Sequence, residues 1–137
     1  MQQGLTQGGS VMSQTILIVD DDAELRMLYR LILEREGYTV AEAANGMDAL
    51  RYLNSQTPDL IIMDVLMPLL GGEGVMRKLQ QSPALDNVRI IVLTAYPRFR
   101  DSALFLRADQ FLVKPVTPQQ IVAAVRATLA GQPYPDE

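Results

Sequence analysis

Neither cysteine, histidine nor tryptophan occurs in the 137 residues. Without cysteine there is no disulfide frame, thiol nucleophile or thiolate metal site. Without histidine, imidazole ligation and imidazole general-base catalysis are removed as well. Any chemistry must run on carboxylates, hydroxyls, lysine and arginine. Basic charge is also short. Twelve Lys and Arg stand against 16 Asp and Glu, a formal net charge of −4, so no net positive field gathers nucleic-acid phosphates or anionic lipids. No apolar run approaches the roughly 20 residues that span a bilayer, and the opening MQQGLTQGGSVMSQT has neither a basic start nor an apolar core. These absences predict a cytoplasmic protein with no membrane partner and no direct nucleic-acid partner.

What is present is a globular balance. Hydrophobic residues make up 48% and charged residues 20% of a chain whose length suits one domain. Gln, Gly and Ser dominate residues 1–13, which reads as a flexible N-terminal tail, with Met12 an alternative start. The domain is expected over 14–131, and 132–137 reads as a short C-terminal tail. Within the domain, short apolar runs alternate with segments whose apolar spacing is near 3.6. Strands are predicted at 15–19, 38–43, 60–63, 89–93 and 110–113. Helices are predicted at 23–36 with a stripe of Leu25, Leu28 and Ile32, at 46–53 with Leu50 and Leu53, at 72–81 with Val75, Met76 and Leu79, and at 118–129 with Ile121, Val125 and Leu129. Gly37 and Gly131 stand where the first and last should stop. The pattern predicts an α/β fold: a three-layer, doubly wound, five-stranded parallel sheet with helices on both faces. Strand order does not follow from the pattern alone.

Ligands of such folds bind beyond the carboxyl ends of the strands. The first strand runs into Asp20, Asp21 and Asp22, the third ends in Asp64, the fourth in Thr94 and Ala95, and the fifth in Lys114 and Pro115. Asp22 suits a helix N-cap, and capping alone would account for an acidic run before a helix. Asp64, directly after four apolar residues, must be paired or used. Three carboxylates from two strands form an oxygen-only nest that a hard cation such as Mg²⁺ relieves. A carboxylate is also a nucleophile toward phosphorus, giving an aspartyl phosphate. That transfer asks the protein chiefly for positioning and charge neutralisation, which Lys114, the Thr94 hydroxyl and the Ala95 N–H are placed to supply. Singly, Lys114 reads as a solvated lysine, Thr94 as a strand-end hydroxyl and Pro115 as a turn former; together they read as a site.

The motifs ILIVDDD, LIIMDVLMP, IIVLTA and FLVKP, in that order, resemble the receiver domain of two-component response regulators, and the resemblance covers nearly all of 15–129. It implies the flavodoxin-like strand order 2-1-3-4-5 of CheY-like domains. By position it implies Asp64 as phosphoacceptor, Asp20 and Asp21 as the acidic pair holding Mg²⁺, and the Leu66 backbone carbonyl as a further metal ligand. Thr94 and Phe111 match the switch hydroxyl and switch aromatic, and Lys114 the active-site lysine, with a cis bond to Pro115. The implied function is that of a stand-alone receiver in a phosphorelay. A histidine kinase or histidine phosphotransfer protein donates to Asp64, and a downstream protein target reads the changed face. The domain would be a monomer or a phosphorylation-linked homodimer, catalysing only its own phosphorylation and slow dephosphorylation. Having no histidine, the chain must take its phosphoryl group from elsewhere.

Two departures from the family pattern stand out. The stretch between Thr94 and Lys114 is a little short, and Arg107 stands where a Gly usually precedes an Ala-Asp pair. A helix starting near Pro97 would place Phe99, Ala103 and Leu106 on a core stripe, leaving Leu104 and Phe105, with Arg98 or Arg100, as a contact surface. A repositioned helix burying them is the alternative. The second departure is bulk at Leu66 and Tyr96, two residues beyond Asp64 and Thr94, which predicts a long-lived phosphoryl group because an in-line water is hindered.

Rival functions are weaker. A phosphatase of the haloacid dehalogenase type needs a second carboxylate two residues after its nucleophile, and that position is Leu66. A flavodoxin would cradle phosphate after the first strand, where Asp20 to Asp22 repel it. A degenerate receiver, binding proteins without phosphorylation, is the serious competitor.

Overall fold

The computed structural model describes residues 13–134; the expected N-terminal tail up to Met12 and the last residues of the C-terminal tail lie outside the described residues. The chain runs β1 (Thr15–Val19), α1 (Ala23–Arg35), β2 (Thr39–Ala43), α2 (Gly46–Ser55), β3 (Leu60–Met63), α3 (Gly72–Gln81), β4 (Arg89–Thr94), β5 (Gln110–Val113) and α4 (Pro118–Leu129). Short 3₁₀ turns occupy Pro83–Leu85, Pro97–Asp101 and Ala103–Phe105. All strands pair in parallel in the order β2-β1-β3-β4-β5. The fold class and order are those expected.

Side-chain alternation divides the core into two layers. Leu17, Val19, Ile61, Met63, Ile90 and Val92 face α2 and α3, whereas Ile16, Ile18, Leu60, Ile62, Ile91 and Leu93 face α1 and α4. β3 lies at the centre, buried throughout, which is why LIIM shows no polar alternation. Helix ends follow local chemistry. Asp22 caps α1 by accepting from the Glu24 and Leu25 N–H groups, and Thr117 and Gln120 form a reciprocal capping box on α4. Gly37 and Gly131, with φ of 101° and 71°, end α1 and α4 in the left-handed conformation.

Two expectations fail. On α1 the deeply buried residues are Tyr29 and Leu33, while Leu28 of the expected stripe is exposed and Leu25 and Ile32 sit at its margin. The Tyr29 and Leu33 pair, four residues apart, takes the seat against the sheet and rotates the helix by about one position. Between β4 and β5 no α-helix forms near Pro97. The chain instead makes two 3₁₀ turns separated by extended Ser102. A 3₁₀ turn advances about 2.0 Å per residue against 1.5 Å in an α-helix, so a shortened connection still crosses the sheet edge. Phe105 turns inward, 3% exposed, while Leu106 of the expected core stripe is 74% exposed. Leu104 and Phe99 also pack on the core. The contact surface expected of Leu104 and Phe105 is therefore absent, because those side chains belong to the core.

Arg107 explains how this segment is tied down. Its Nη2 donates to the carbonyls of Leu85, Asp86 and Val88, at 3.1, 2.8 and 3.3 Å, and Gln80 Nε2 donates to the Leu104 carbonyl at 3.2 Å. A glycine at 107 could make none of the first set.

Candidate functional site

The carboxyl ends of β1, β3, β4 and β5 converge on one rim, and each ends in a polar residue. Asp20 follows β1 and is buried, Asp64 follows β3 and is half-buried, and one carboxylate oxygen each of Asp20, Asp21 and Asp64 lies within 4.8 Å of the others. Asp21 is exposed.

The carboxylates of Asp20 and Asp64 are held in the same way. One oxygen of each accepts from a backbone N–H: Asp20 Oδ1 from Asp22 at 2.9 Å, and Asp64 Oδ1 from Val65 at 2.7 Å. The other oxygen of each accepts from Lys114 Nζ, at 2.9 Å in both cases. Lys114 reaches the rim from the end of β5, and its peptide bond to Pro115 is cis. Burial pulls the ammonium pKa down, but the hydrogen bonds to Asp20 and Asp64, with their charges, outweigh burial and raise it well above that of a free lysine. A single ammonium against three carboxylates leaves an excess of negative charge. Oxygen-only donors with unbalanced negative charge suit a hard divalent cation, so the residues present fit Mg²⁺.

The remaining sequence-predicted residues lie around this cluster. Thr94 is fully buried at the end of β4, with its Oγ1 accepting from the Tyr96 N–H at 3.3 Å, and Ala95 beside it is exposed. Phe111 is buried on β5. Leu66 and Tyr96 stand at the rim, 46% and 40% exposed.

Two contributors escaped sequence reasoning. Arg26 Nη1 donates to the Asp20 carbonyl at 2.7 Å while its Nε pairs with Glu42 at 3.0 Å, bracing the turn that carries the acidic run. Its partners lie 6 and 16 residues away, so no local spacing announces it. Gly46, at the start of α2, donates its N–H to the Leu70 carbonyl at 2.8 Å, and a Cβ there would meet that oxygen at 2.3 Å. The loop after Asp64 is thus pinned to α2. In sequence Gly46 reads only as the start of the helix predicted at 46–53.

Residues 16–126 match the family model of the response regulator receiver domain. Response regulator GtcR of Aneurinibacillus migulanus is 40% identical over 120 residues, 86% of this chain and 48% of that protein. The alkaline phosphatase synthesis transcriptional regulatory protein PhoP of Bacillus subtilis is 38% identical over 120 residues, 86% of this chain and 49% of that protein. The chain spans about half the length of the curated relatives it matches. Among solved structures, response regulator protein TrrA of Thermotoga maritima, in complex with Mg²⁺-BeF, aligns with a TM-score of 0.76 at 32% identity over 84% of this chain and 98% of that one. A CheY-like receiver domain protein of Methanospirillum hungatei aligns with a TM-score of 0.80 at 29% identity over 88% and 97%.

Proposed function

This chain belongs to the response regulator receiver domain family, and on that premise we propose that it is a phosphoacceptor switch in which Asp64 takes a phosphoryl group from a phosphohistidine on another protein. The observation that carries the proposal is the shared grip of Lys114 on Asp20 and Asp64 at the mouth of the central strands. Val65 N–H and Lys114 orient the Asp64 carboxylate before any donor arrives, which is the positioning that phosphoryl transfer demands. An Asp64 oxygen forms the new O–P bond as the donor's N–P bond breaks, and the nitrogen keeps the electron pair and takes up a proton. Lys114 bears on the negative charge of the group transferred, and Thr94 Oγ and the Ala95 N–H are the donors that receive its oxygens. Asp20, Asp21, Asp64 and the Leu66 carbonyl would hold Mg²⁺. When bound, Mg²⁺ supplies further neutralisation of the phosphoryl oxygens. TrrA, seen with Mg²⁺-BeF, supports that assignment.

The donor partner is a histidine kinase or a histidine phosphotransfer protein, the donors that membership of the receiver family implies. Its docking face is assigned to α1, which starts directly after the acidic run and exposes Met27 and Leu31, 61% and 59% accessible, beside Leu28. Such a contiguous apolar stripe next to the site is the expected mark of a protein contact. Phosphorylation adds contacts that favour Thr94 toward the phosphoryl group, and the altered face of β4 and β5 is then read by a downstream protein or module. Among the described residues no helix is long and apolar enough to cross a membrane.

The test is incubation with acetyl phosphate, with and without Mg²⁺, read by intact mass beside Asp64→Ala. A Mg²⁺-dependent gain of one phosphoryl group, absent from the variant, is expected. No gain from acetyl phosphate or from phosphorylated histidine kinases would overturn the reading in favour of a phosphorylation-independent scaffold.

A further inference from the structure

We propose that Arg100 is a positioning residue for Phe111, a clasp that joins the switch aromatic to the segment of 3₁₀ turns between β4 and β5, so that this segment moves with Phe111. The clasp stands on geometry; only its use as a signal rests on Asp64 being the phosphoacceptor.

The guanidinium carbon of Arg100 lies 5.1 Å from the centroid of the Phe111 ring, within cation–π range. Arg100 belongs to the turn Pro97–Asp101, and Phe111 to β5, so the contact bridges the β4–β5 connection and the sheet. The same turn is tied to β4. Its preceding residue, Tyr96, donates its N–H to Thr94 Oγ1 at 3.3 Å. Arg98 lies 4.8 Å from the Tyr96 ring and 4.7 Å from the Phe99 ring, and Phe99 meets Phe105 edge to face at 6.3 Å. A continuous line of contacts therefore runs from the Thr94 hydroxyl through the aromatic and guanidinium groups to the core, with Arg100 as the branch that reaches Phe111.

The segment depends on these contacts more than a helix would. It has no i to i+4 ladder, and neither 3₁₀ turn has a side-chain N-cap. Drawing the Thr94 hydroxyl toward a phosphoryl oxygen competes with its bond to the Tyr96 N–H. Any shift of Phe111 that follows must either carry Arg100 along or release it. Both strand ends that the switch uses thus pull on one short segment, which takes the place of a helix as the element whose conformation changes.

Hydrogen exchange on the full chain tests the clasp without phosphate. Arg100→Ala and Phe111→Leu should each speed exchange of the amides of residues 99–106 by about fivefold, the equivalent of one cation–π contact. The double variant should be no faster than either single, and Arg100→Lys should keep most of the protection. Unchanged exchange in Arg100→Ala, or effects of the two singles that multiply in the double variant, would overturn the clasp. With acetyl phosphate and Mg²⁺, Arg100→Ala should take the label as the parent does while exchange in 99–106 no longer follows labelling. A parent chain that takes no label defeats the phosphoacceptor reading and leaves the first comparison in force.

Discussion

Lys114 Nζ donates to Asp64 Oδ2 across 2.9 Å, and the same ammonium holds Asp20 Oδ2 at 2.9 Å, so one cation from the end of β5 locks two carboxylates from β1 and β3. Because the folded-state pKa of Lys114 is raised, the stability it contributes is fully present below the unfolded value of about 10.4 and fades as pH rises through the higher folded value. The parent should therefore show no loss from this group between pH 6 and pH 9, read by urea unfolding.

Lys114→Met should lower stability by about 2 kcal/mol at pH 7, since hydrogen bonds to charged groups are lost and two carboxylates are left facing one another. Salt screens that repulsion, so the deficit against the parent should shrink between about 0.05 M and about 1 M NaCl. Equal deficits at both salt concentrations would show that the charge relation carries none of the effect.

Once Asp64 carries a phosphoryl group, the group should persist, because the bulk of Leu66 and Tyr96 at the rim of the site hinders an in-line water. Leu66→Asn with Tyr96→Glu is expected to shorten its lifetime roughly tenfold, the lower end of what a positioned polar group supplies. The decay of labelled intact mass after removal of acetyl phosphate measures it.

Gly46→Ala should destabilise the chain by about 2 kcal/mol, as overpacking against backbone costs. The added Cβ would meet the Leu70 carbonyl at 2.3 Å, and backbone cannot swing aside as a side chain does. Weaker Mg²⁺ binding by titration calorimetry should accompany the loss, because the loop carrying Leu66 must shift.

Arg107→Ala removes the guanidinium that serves three carbonyls of residues 85–88. A loss of about 2 kcal/mol is expected from the charged hydrogen bonds, with faster hydrogen exchange around residues 85–88 and 103–106. Arg107→Lys, a point charge without the planar fork, should recover only part of it.

Leu31→Asp on the exposed face of α1 should leave acetyl phosphate labelling unchanged while slowing transfer from a phosphorylated histidine kinase at least tenfold, as loss of an apolar contact anchor does. A parallel fall in both rates would place the effect in the fold rather than in docking.

Much of the architecture was legible because it depends on short-range pattern. Four-residue apolar runs such as Leu60–Met63, too short for helices and alternating with segments of helical spacing, read as buried strands in a helix-covered sheet, and the polar residues that follow them fall at the carboxyl edge wherever the strands lie. That geometry brings Asp20, Asp64, Thr94 and Lys114 to one rim with no long-range information. The segment after Thr94 was misread for the complementary reason. In YPRFRDSALFLRADQF several rotations bury an apolar stripe equally well, and the choice depends on partners far away in sequence. Phe105 enters the core beside α3, and Arg107 ties its segment to carbonyls more than 18 residues back.

The sequence by itself determined the α/β alternation, the strand cores and the identity of the groups at the strand ends, because periodicity and residue chemistry are local properties. Only the tertiary structure decided that one lysine serves two carboxylates, that Arg26 and Gly46 brace the loops bearing them, and that two 3₁₀ turns replace a helix. Those relations depend on distances between residues as many as 94 positions apart, which the packing of the sheet and helices sets and the local pattern does not contain.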